Sequence, residues 1–313
     1  MSHATESAAR TVVVTGANGF VGARTCAALV NRGVTVRAVV RRAGTAPDLP
    51  GVEEHVGDFY DADLAASMVN GASAVVTTVH PMSSDRPTQQ RISVEGTAFL
   101  AEAARDAGVG TLVHVSTAAV YDRTPDVGDV DEHARLVPDS ANDYAVTKRD
   151  TDAALAAVDG ITRVLVRPPA ILGSGETSNW NTVVPAEMLK NPAERHAIPR
   201  RTFAWVHVDD LVALIADVAT ERIAPSSDAE TGPVSGEWTA VNVAADRATA
   251  RDYIGTVTRA LGLEPVWEEG PAWTGRILAE RAARWGWSPQ VSLQAAFAEL
   301  DADLRVKRAP SRG

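Results

Sequence analysis

The sequence predicts a doubly wound α/β fold: a mostly parallel sheet covered by helices on both faces. Six short apolar runs rich in β-branched residues recur through the first part of the chain, and helical stretches separate most of them. A strand can be apolar at nearly every position only if both of its faces are buried, as inside a parallel sheet covered on both sides. The first run also ends in a Gly-rich turn that opens straight into a helix, the start of a strand–turn–helix unit.

Residues 11–15 (Thr-Val-Val-Val-Thr) are the first strand, Gly16-Ala17-Asn18-Gly19 the tight turn, and residues 20–31 an Ala-rich helix that Gly33 stops. Residues 34–40, 52–56, 74–78, 111–116 and 161–166 supply the next five strands. After Arg167 the alternation weakens, because Pro168, Pro169, Gly173, Gly175 and Pro185 interrupt the chain. A helix at 209–220 and a strand at 239–243 then rejoin the sheet, and residues 224–237 read as a surface loop rich in Pro, Ser, Asp and Gly. The expected organisation is therefore a sheet domain over 11–172, rejoined by 205–243. A smaller, mostly helical lobe is expected over 173–204 together with 244–308. That lobe includes a Trp-rich stretch (Trp267, Trp273, Trp285, Trp287) and a final amphipathic helix over 292–305.

A chain of 313 residues with 45% apolar content can bury a large core. Its 30 basic and 40 acidic residues leave a net charge of −10, which repels nucleic acid and anionic membranes, so neither is an expected partner. The single cysteine, Cys26, excludes an internal disulfide and a Cys-based zinc site, and within a helix it reads as a packed thiol. No metal site is expected. Residues 1–10 lack the apolar core of a secretory signal and no later stretch is apolar for long enough to span a bilayer, so a cytoplasmic protein is expected.

The turn after the first strand carries Gly16, Gly19 and Gly22 at three-residue spacing. Gly16 permits the tight turn, Gly19 lets backbone approach a pyrophosphate, and Gly22 lets helix and strand pack closely. The helix N-terminus then faces the phosphate charge. Such a triple is weak on its own, but its position on the first strand-to-helix turn makes it specific for a dinucleotide, with Asn18, Phe20 and Val21 on the same turn. The second strand ends Val39-Val40-Arg41-Arg42. A carboxylate there would bind a ribose 2′-hydroxyl, whereas two guanidiniums suit a 2′-phosphate, so the expected cofactor is NADP rather than NAD. The alternative is that Arg41 and Arg42 are merely a solvated strand end. Asp58 and Phe59 follow the third strand, where Asp58 suits the adenine amine or a simple helix cap. Thr78 and Val79 follow the fourth, on the cofactor side.

Tyr144 and Lys148 stand four apart at the start of a helix and so share a face. With four tyrosines and three lysines in the chain, this spacing arises by chance in about one such sequence in twenty-five. A phenol with a pKa near ~10 is a poor proton shuttle at neutral pH, and a nearby ammonium would favour the phenolate. Tyr144 is then a general acid or base. The fifth strand runs into Ser116, Thr117 and, further on, Tyr121 at the carboxyl edge of the sheet, where ligands bind in open α/β folds. Read alone these hydroxyls are turn or cap residues; beside Tyr144 and Lys148 they become candidates to bind a substrate carbonyl.

Together the Gly motif, Val115-Ser116-Thr117-Ala118-Ala119-Val120-Tyr121, Tyr144-Ala145-Val146-Thr147-Lys148, Arg167-Pro168-Pro169 and Val206-His207-Val208-Asp209-Asp210 resemble the extended short-chain dehydrogenase/reductases of the NAD-dependent epimerase/dehydratase superfamily. The resemblance runs from about Thr11 to Leu304 and implies a Rossmann fold. It assigns Thr117 as the catalytic hydroxyl, Tyr144 as acid/base, Lys148 as a ribose ligand, and Arg167-Pro168 as part of the nicotinamide wall. Val36-Arg37-Ala38-Val39-Val40-Arg41 looks like the NADP-dependent dihydroflavonol-reductase branch, with Arg41 as its 2′-phosphate ligand. Family members often dimerise through the Tyr144 helix and the helix over 89–107, which makes a homodimer the assembly the resemblance offers.

The chain also departs from the family pattern. Thr77-Thr78-Val79-His80-Pro81 stands where His-Leu-Ala-Ala is common, so His80 is a candidate substrate contact or a structural histidine. Ser93 stands where Asn is frequent, and Asp122 where Gly is frequent. Three functions are compatible with these residues: an NADPH-dependent reductase of a small-molecule carbonyl, or its reverse; a sugar-nucleotide epimerase or dehydratase using a retained NAD; and a non-catalytic cofactor sensor. Arg41-Arg42, and Ala118-Ala119 in place of the Asp-Glu pair of sugar dehydratases, favour the first. Tyr144 and Lys148 count against the last. Arg195, His196, Arg200 and Arg201 read either as an oxyanion site or as a solvated basic face.

Overall fold

A computed structural model describes residues 10–58 and 61–308. The chain opens β1 (Thr11–Thr15), α1 (Phe20–Val30), β2 (Thr35–Val40), β3 (Val52–Val56), α2 (Ala62–Val69) and β4 (Ala74–Thr77). The short α3 (Arg86–Gln89) passes through a π-helical turn, Gln90–Glu95, into α4 (Gly96–Asp106), followed by β5 (Thr111–Val115), α5 (Asp143–Ala156) and β6 (Thr162–Arg167). Next come β7 (Ala170–Leu172), α6 (Val184–Lys190), β8 (His196–Ala197), β9 (Thr202–Phe203), β10 (Trp205–His207) and α7 (Val208–Ala219). The chain finishes with β11 (Trp238–Asn242), β12 (Ala248–Thr249), α8 (Ala250–Leu261), β13 (Val266–Trp267), α9 (Glu280–Arg284) and α10 (Leu293–Arg308).

Seven strands form one parallel sheet in the order β11-β6-β5-β4-β1-β2-β3. The chain builds outward from β1 to β3, then returns to lay β4 on the other side of β1. Loops leaving β1 and β4 therefore diverge, and a crevice opens between them at the carboxyl edge. Burial of both faces explains the apolar strands: Val12, Val14, Val76 and Val113 pack on one face with Cys26 and Leu29 of α1 and Leu211, Leu214 and Ile215 of α7. Val13, Val75 and Leu112 pack on the other with Met68 of α2, Leu100 of α4 and Leu155 of α5. Cys26 is the packed thiol its helix implies, and burial pushes it up to about 12.

The C-terminal lobe has its own core, in which Val257 of α8 and Leu300 and Leu304 of α10 meet Leu172, Met188, Trp205 and Tyr253. Local signals set the ends of α8. Thr249 and Asp252 form a reciprocal capping box, and Gly262 closes the helix in the left-handed region at φ 67°. The stretch after it is not helical as the sequence reading has it. Pro265, Gly270, Pro271 and Gly275 deny it backbone donors or helical φ, so Trp267 lies in β13 and Trp273 in irregular chain. The tryptophans are largely packing residues: Trp273 sits in a core with Tyr121, Val130 and Ile277. Ala282, Trp285 and Trp287, within the stretch assigned from sequence to the substrate lobe, pack instead on the α1/α7 face of the sheet.

Asp210 of α7 holds that return in place. Its carboxylate accepts from the backbone N–H groups of Gln290 and Val291 at 3.0 and 3.1 Å, and its carbonyl accepts from Trp287 Nε1 at 2.9 Å. No helix among the described residues is long and apolar enough to cross a membrane. Asp210→Ala strands two backbone donors at a buried position, and a loss of about 3 kcal/mol in unfolding free energy is expected by urea titration.

Candidate active site

The crevice is a groove of about 420 Å³ floored by the β1–α1 turn. Gly16 is in the left-handed region at φ 70°, and a Cβ on Gly22 would stand 2.1 Å from the Gly16 carbonyl oxygen, so both positions demand glycine. The N-cap of α1, Gly19, offers no side-chain cap and the first turn carries no acidic residue. Its amide N–H groups and the positive end of the helix dipole thus remain available to an anion. Gly16, Asn18, Gly19, Phe20, Val21, Gly22, Arg41, Asp58, Thr78, Val79 and Tyr144 all line this groove. Phe59 lies outside the described residues.

At the far end of the groove Arg41 contributes to the lining, while Arg42 is exposed outside it. The loop after Arg42 is held from β3. The Glu54 carboxylate accepts from the N–H groups of Gly44, Thr45 and Ala46 at 2.9, 3.0 and 3.0 Å, which keeps Glu54 below the usual carboxylate range. Asn18 Nδ2 donates to Thr45 Oγ1 at 3.3 Å and so ties the glycine turn to the same loop.

A second chamber of about 380 Å³ adjoins the groove, and Met82, Tyr144, Pro169, Asn179 and Trp180 line both. Tyr144 stands at their junction and Thr117 lines the second chamber. Asn142 caps α5 by accepting from Ala145 N–H at 2.9 Å, which puts Tyr144 in the first turn. Burial pushes the Tyr144 phenol up and a hydrogen bond with Thr117 opposes it. The lysine-driven lowering expected from the Tyr-x-x-x-Lys spacing is therefore not what sets this phenol. Lys148 is buried one turn behind it, outside the groove lining, and its Nζ donates to the Val115 carbonyl at 2.7 Å. Burial pushes that ammonium down to about 8, against the pull of Asp152.

Several residues assigned to cofactor or substrate lie behind the wall. Arg167 is 4% exposed; its Nε donates to Asp152 Oδ2 at 2.9 Å and its Nη1 to Tyr121 Oη at 2.9 Å. Tyr121 is 1% exposed and donates to Asn242 Oδ1 at 2.7 Å, and Ser116 is likewise buried. Pro168 is buried with its carbonyl accepting from Ala118 N–H at 2.8 Å. The reason is register. β6 runs on to Arg167, which directs that side chain toward α5, and the chain reaches the cavity only at Pro169. Arg167, Pro168, Ser116 and Tyr121 thus support the site from beneath rather than lining it.

His80 lines the first groove and not the second chamber. Its ring meets Tyr144 edge-on, with centroids 5.0 Å apart. Gln89 Nε2 donates to the Ser84 carbonyl at 2.8 Å, so Gln89 Oε1 is the acceptor toward Thr147 at 2.9 Å and toward His80 Nε2 at 3.2 Å. That leaves His80 Nδ1 to accept from the Ser93 hydroxyl at 2.9 Å, which defines a neutral Nε2–H tautomer. Burial and the Lys148 charge push His80 down to about 3. Gln89 and Ser93 carry no sequence signature for this role; only the shared surroundings of α5 reveal them.

The family follows from comparison. Residues 12–228 match the model of the NAD dependent epimerase/dehydratase family, and the chain belongs to that family. A "Sterol demethylase protein B" from Methylococcus capsulatus is 35% identical over 52% of this chain and 52% of its own length. A "3-diazoavenalumate denitrifying reductase" from a Streptomyces species is 33% identical over 67% of this chain and 72% of its own. The chain spans about half the length of the first curated relatives it matches. Among solved structures, a dTDP-glucose 4,6-dehydratase from Streptomyces venezuelae with NAD and TYD bound superposes with a TM-score of 0.74. It covers 95% of this chain and 98% of that one at 23% identity, a likeness of fold.

His80 and the fully buried His114 are both held below their ordinary value. The unfolded chain takes up protons near pH 6.5 that the folded chain refuses, so stability falls as pH drops below that point. The unfolding free energy from urea titration between pH 7 and 5 is expected to decline by up to ~1.4 kcal/mol per pH unit for each histidine, and His80→Gln is expected to flatten the slope.

Proposed function

We propose that the protein is an NADPH-dependent reductase of a small-molecule ketone or aldehyde, with Tyr144 as the proton donor. One observation carries the reading. Among the described residues Tyr144 is the one titratable group that lines both the groove and the adjoining chamber, and burial favours its protonated form. The groove fits a dinucleotide: its glycines bring backbone within reach of a pyrophosphate and the uncapped α1 N-terminus complements the charge. Arg41 lines the end where a 2′-phosphate would lie, and the Glu54 clamp orders the loop behind it. NADPH, when bound, supplies the hydride that reduces the carbonyl carbon. Tyr144 gives its proton to the carbonyl oxygen, and the Thr117 hydroxyl, in hydrogen-bond contact with the phenol, orients that oxygen. Lys148, anchored on the Val115 carbonyl, keeps a positive charge one helical turn behind the phenol, which stabilises the phenolate left once the proton has gone to the carbonyl oxygen.

The second reading is a sugar-nucleotide epimerase or dehydratase, favoured by structural neighbours that hold NAD. Fluorescence titration with both nicotinamides separates the two. The reductase reading expects protein that binds NADPH more tightly than NADH, a preference that Arg41→Ala removes; NAD that stays with the protein through purification and does not exchange would overturn it. Tyr144→Phe is expected to lower turnover by ~10²–10⁴-fold while NADPH affinity stays within a few-fold. Reduction is expected to decline as pH rises through about 8, where Lys148 loses its proton, measured as kcat/KM from pH 6 to 10.

A further inference from the structure

The second chamber holds two guanidiniums that nothing so far explains. Of the basic cluster seen in sequence, Arg195 donates to the Met188 carbonyl at 2.8 Å, Arg200 to the Gly270 carbonyl at 2.6 Å, and His196 pairs with Glu268 at 2.8 Å. Only Arg201 lines the chamber, and Arg123, from the loop after β5, lines it with Arg201. Among the described residues neither side chain has an ion pair or a hydrogen-bond acceptor, although acidic residues outnumber basic ones 40 to 30 in this chain. The Asp122 carboxylate, next to Arg123 in sequence, pairs with Arg135 instead. Arg123 packs its guanidinium over the Trp273 ring, 5.3 Å from the centroid, which fixes its plane without neutralising it. Burial, and then the Arg201 charge, push Arg123 below its ordinary value. Arg201 is exposed at the rim of the chamber while Arg123 is partly buried, and an anion entering between them would offset the charge of both.

We infer that Arg123 and Arg201 form an oxyanion subsite, and that the substrate carries a carboxylate or phosphate on the body whose carbonyl faces Tyr144. The inference rests on reading this chamber as the substrate site. A planar guanidinium donates in the fork geometry that matches either oxyanion. Trp180 and Phe203, in edge-to-face contact at 5.2 Å, give the apolar wall between the charged end and Tyr144. Arg123 acts as a specificity-determining residue: it binds the far end of the substrate and fixes its reach to the phenol.

Binding by calorimetry to the NADP⁺ complex of the full chain tests this with matched pairs, levulinate against methyl levulinate and dihydroxyacetone phosphate against dihydroxyacetone. In at least one pair the anion is expected to bind about tenfold or more tightly than its neutral partner. That advantage is expected to vanish in Arg123→Gln and in Arg201→Gln while NADP⁺ affinity holds within about twofold, the check that each variant is folded. The pair that responds identifies the oxyanion as carboxylate or phosphate. No anion advantage in either pair, or an advantage that survives Arg123→Gln, overturns the subsite. An arginine-dependent anion advantage with no oxidation of NADPH supports the subsite and counts against the reductase reading alone.

Discussion

The buried ion pair between Arg167 and Asp152 is the interaction on which the site depends. Each side chain is 4% exposed, and one comes from β6 while the other comes from α5, the helix that also carries Tyr144 and Lys148. Arg167 also donates to Tyr121, which donates in turn to Asn242 of β11. One guanidinium thereby ties α5, two strands and the loop after β5 into a single unit. A buried pair of this kind contributes little net stability over an apolar replacement, but removing one partner leaves an uncompensated charge. Its value here is geometric, since any sliding of α5 along the sheet would break it. Asp152 adds a second effect by lending negative charge to Lys148, whose ammonium would otherwise be pushed down further by burial.

Around that unit the molecule separates its charges by role. The groove floored by the β1–α1 turn offers backbone amides and Arg41, while the adjoining chamber carries Arg123 and Arg201. Between them the surroundings of the phenol contain neutral groups only: Thr117, and a His80 whose tautomer is fixed from both sides. A histidine that could charge at this point would add a second cation beside Lys148 and compete for the phenolate. Burial and the Gln89–Ser93 bracket prevent it and keep His80 neutral.

The fold was legible because its signals are local or periodic. The both-faces-buried strands and the glycine turn each state their structure in a few consecutive residues. The turn over residues 16–22 that floors the groove is likewise contiguous, whereas Arg41, Asp58, Thr78 and Tyr144 reach the groove from separate elements. What escaped was register and long-range pairing. Nothing in the string Arg167-Pro168-Pro169 says which of the three faces the cavity; the answer depends on where β6 ends. Trp267 and Trp273 resemble a helix face in spacing, yet the Pro and Gly residues around them govern the backbone. Gln89 and Arg123 carry no pattern at all, because their roles come from neighbours dozens of residues away.

The departures from the family pattern make sense once they are seen in space. His80 and Ser93, each unusual at its position, are hydrogen-bonded to each other, so one substitution accounts for the other. A Ser at position 93 is short enough to leave room for the imidazole and supplies the one donor that its Nδ1 needs. Asp122, where Gly is frequent, draws Arg135 to itself and so leaves the adjacent Arg123 unneutralised against Trp273. The two pairs flank Tyr144, one on the dinucleotide side and one on the chamber side. Tyr144 and Lys148 stay as in the family pattern, while the residues that differ set the polarity on either side of the phenol.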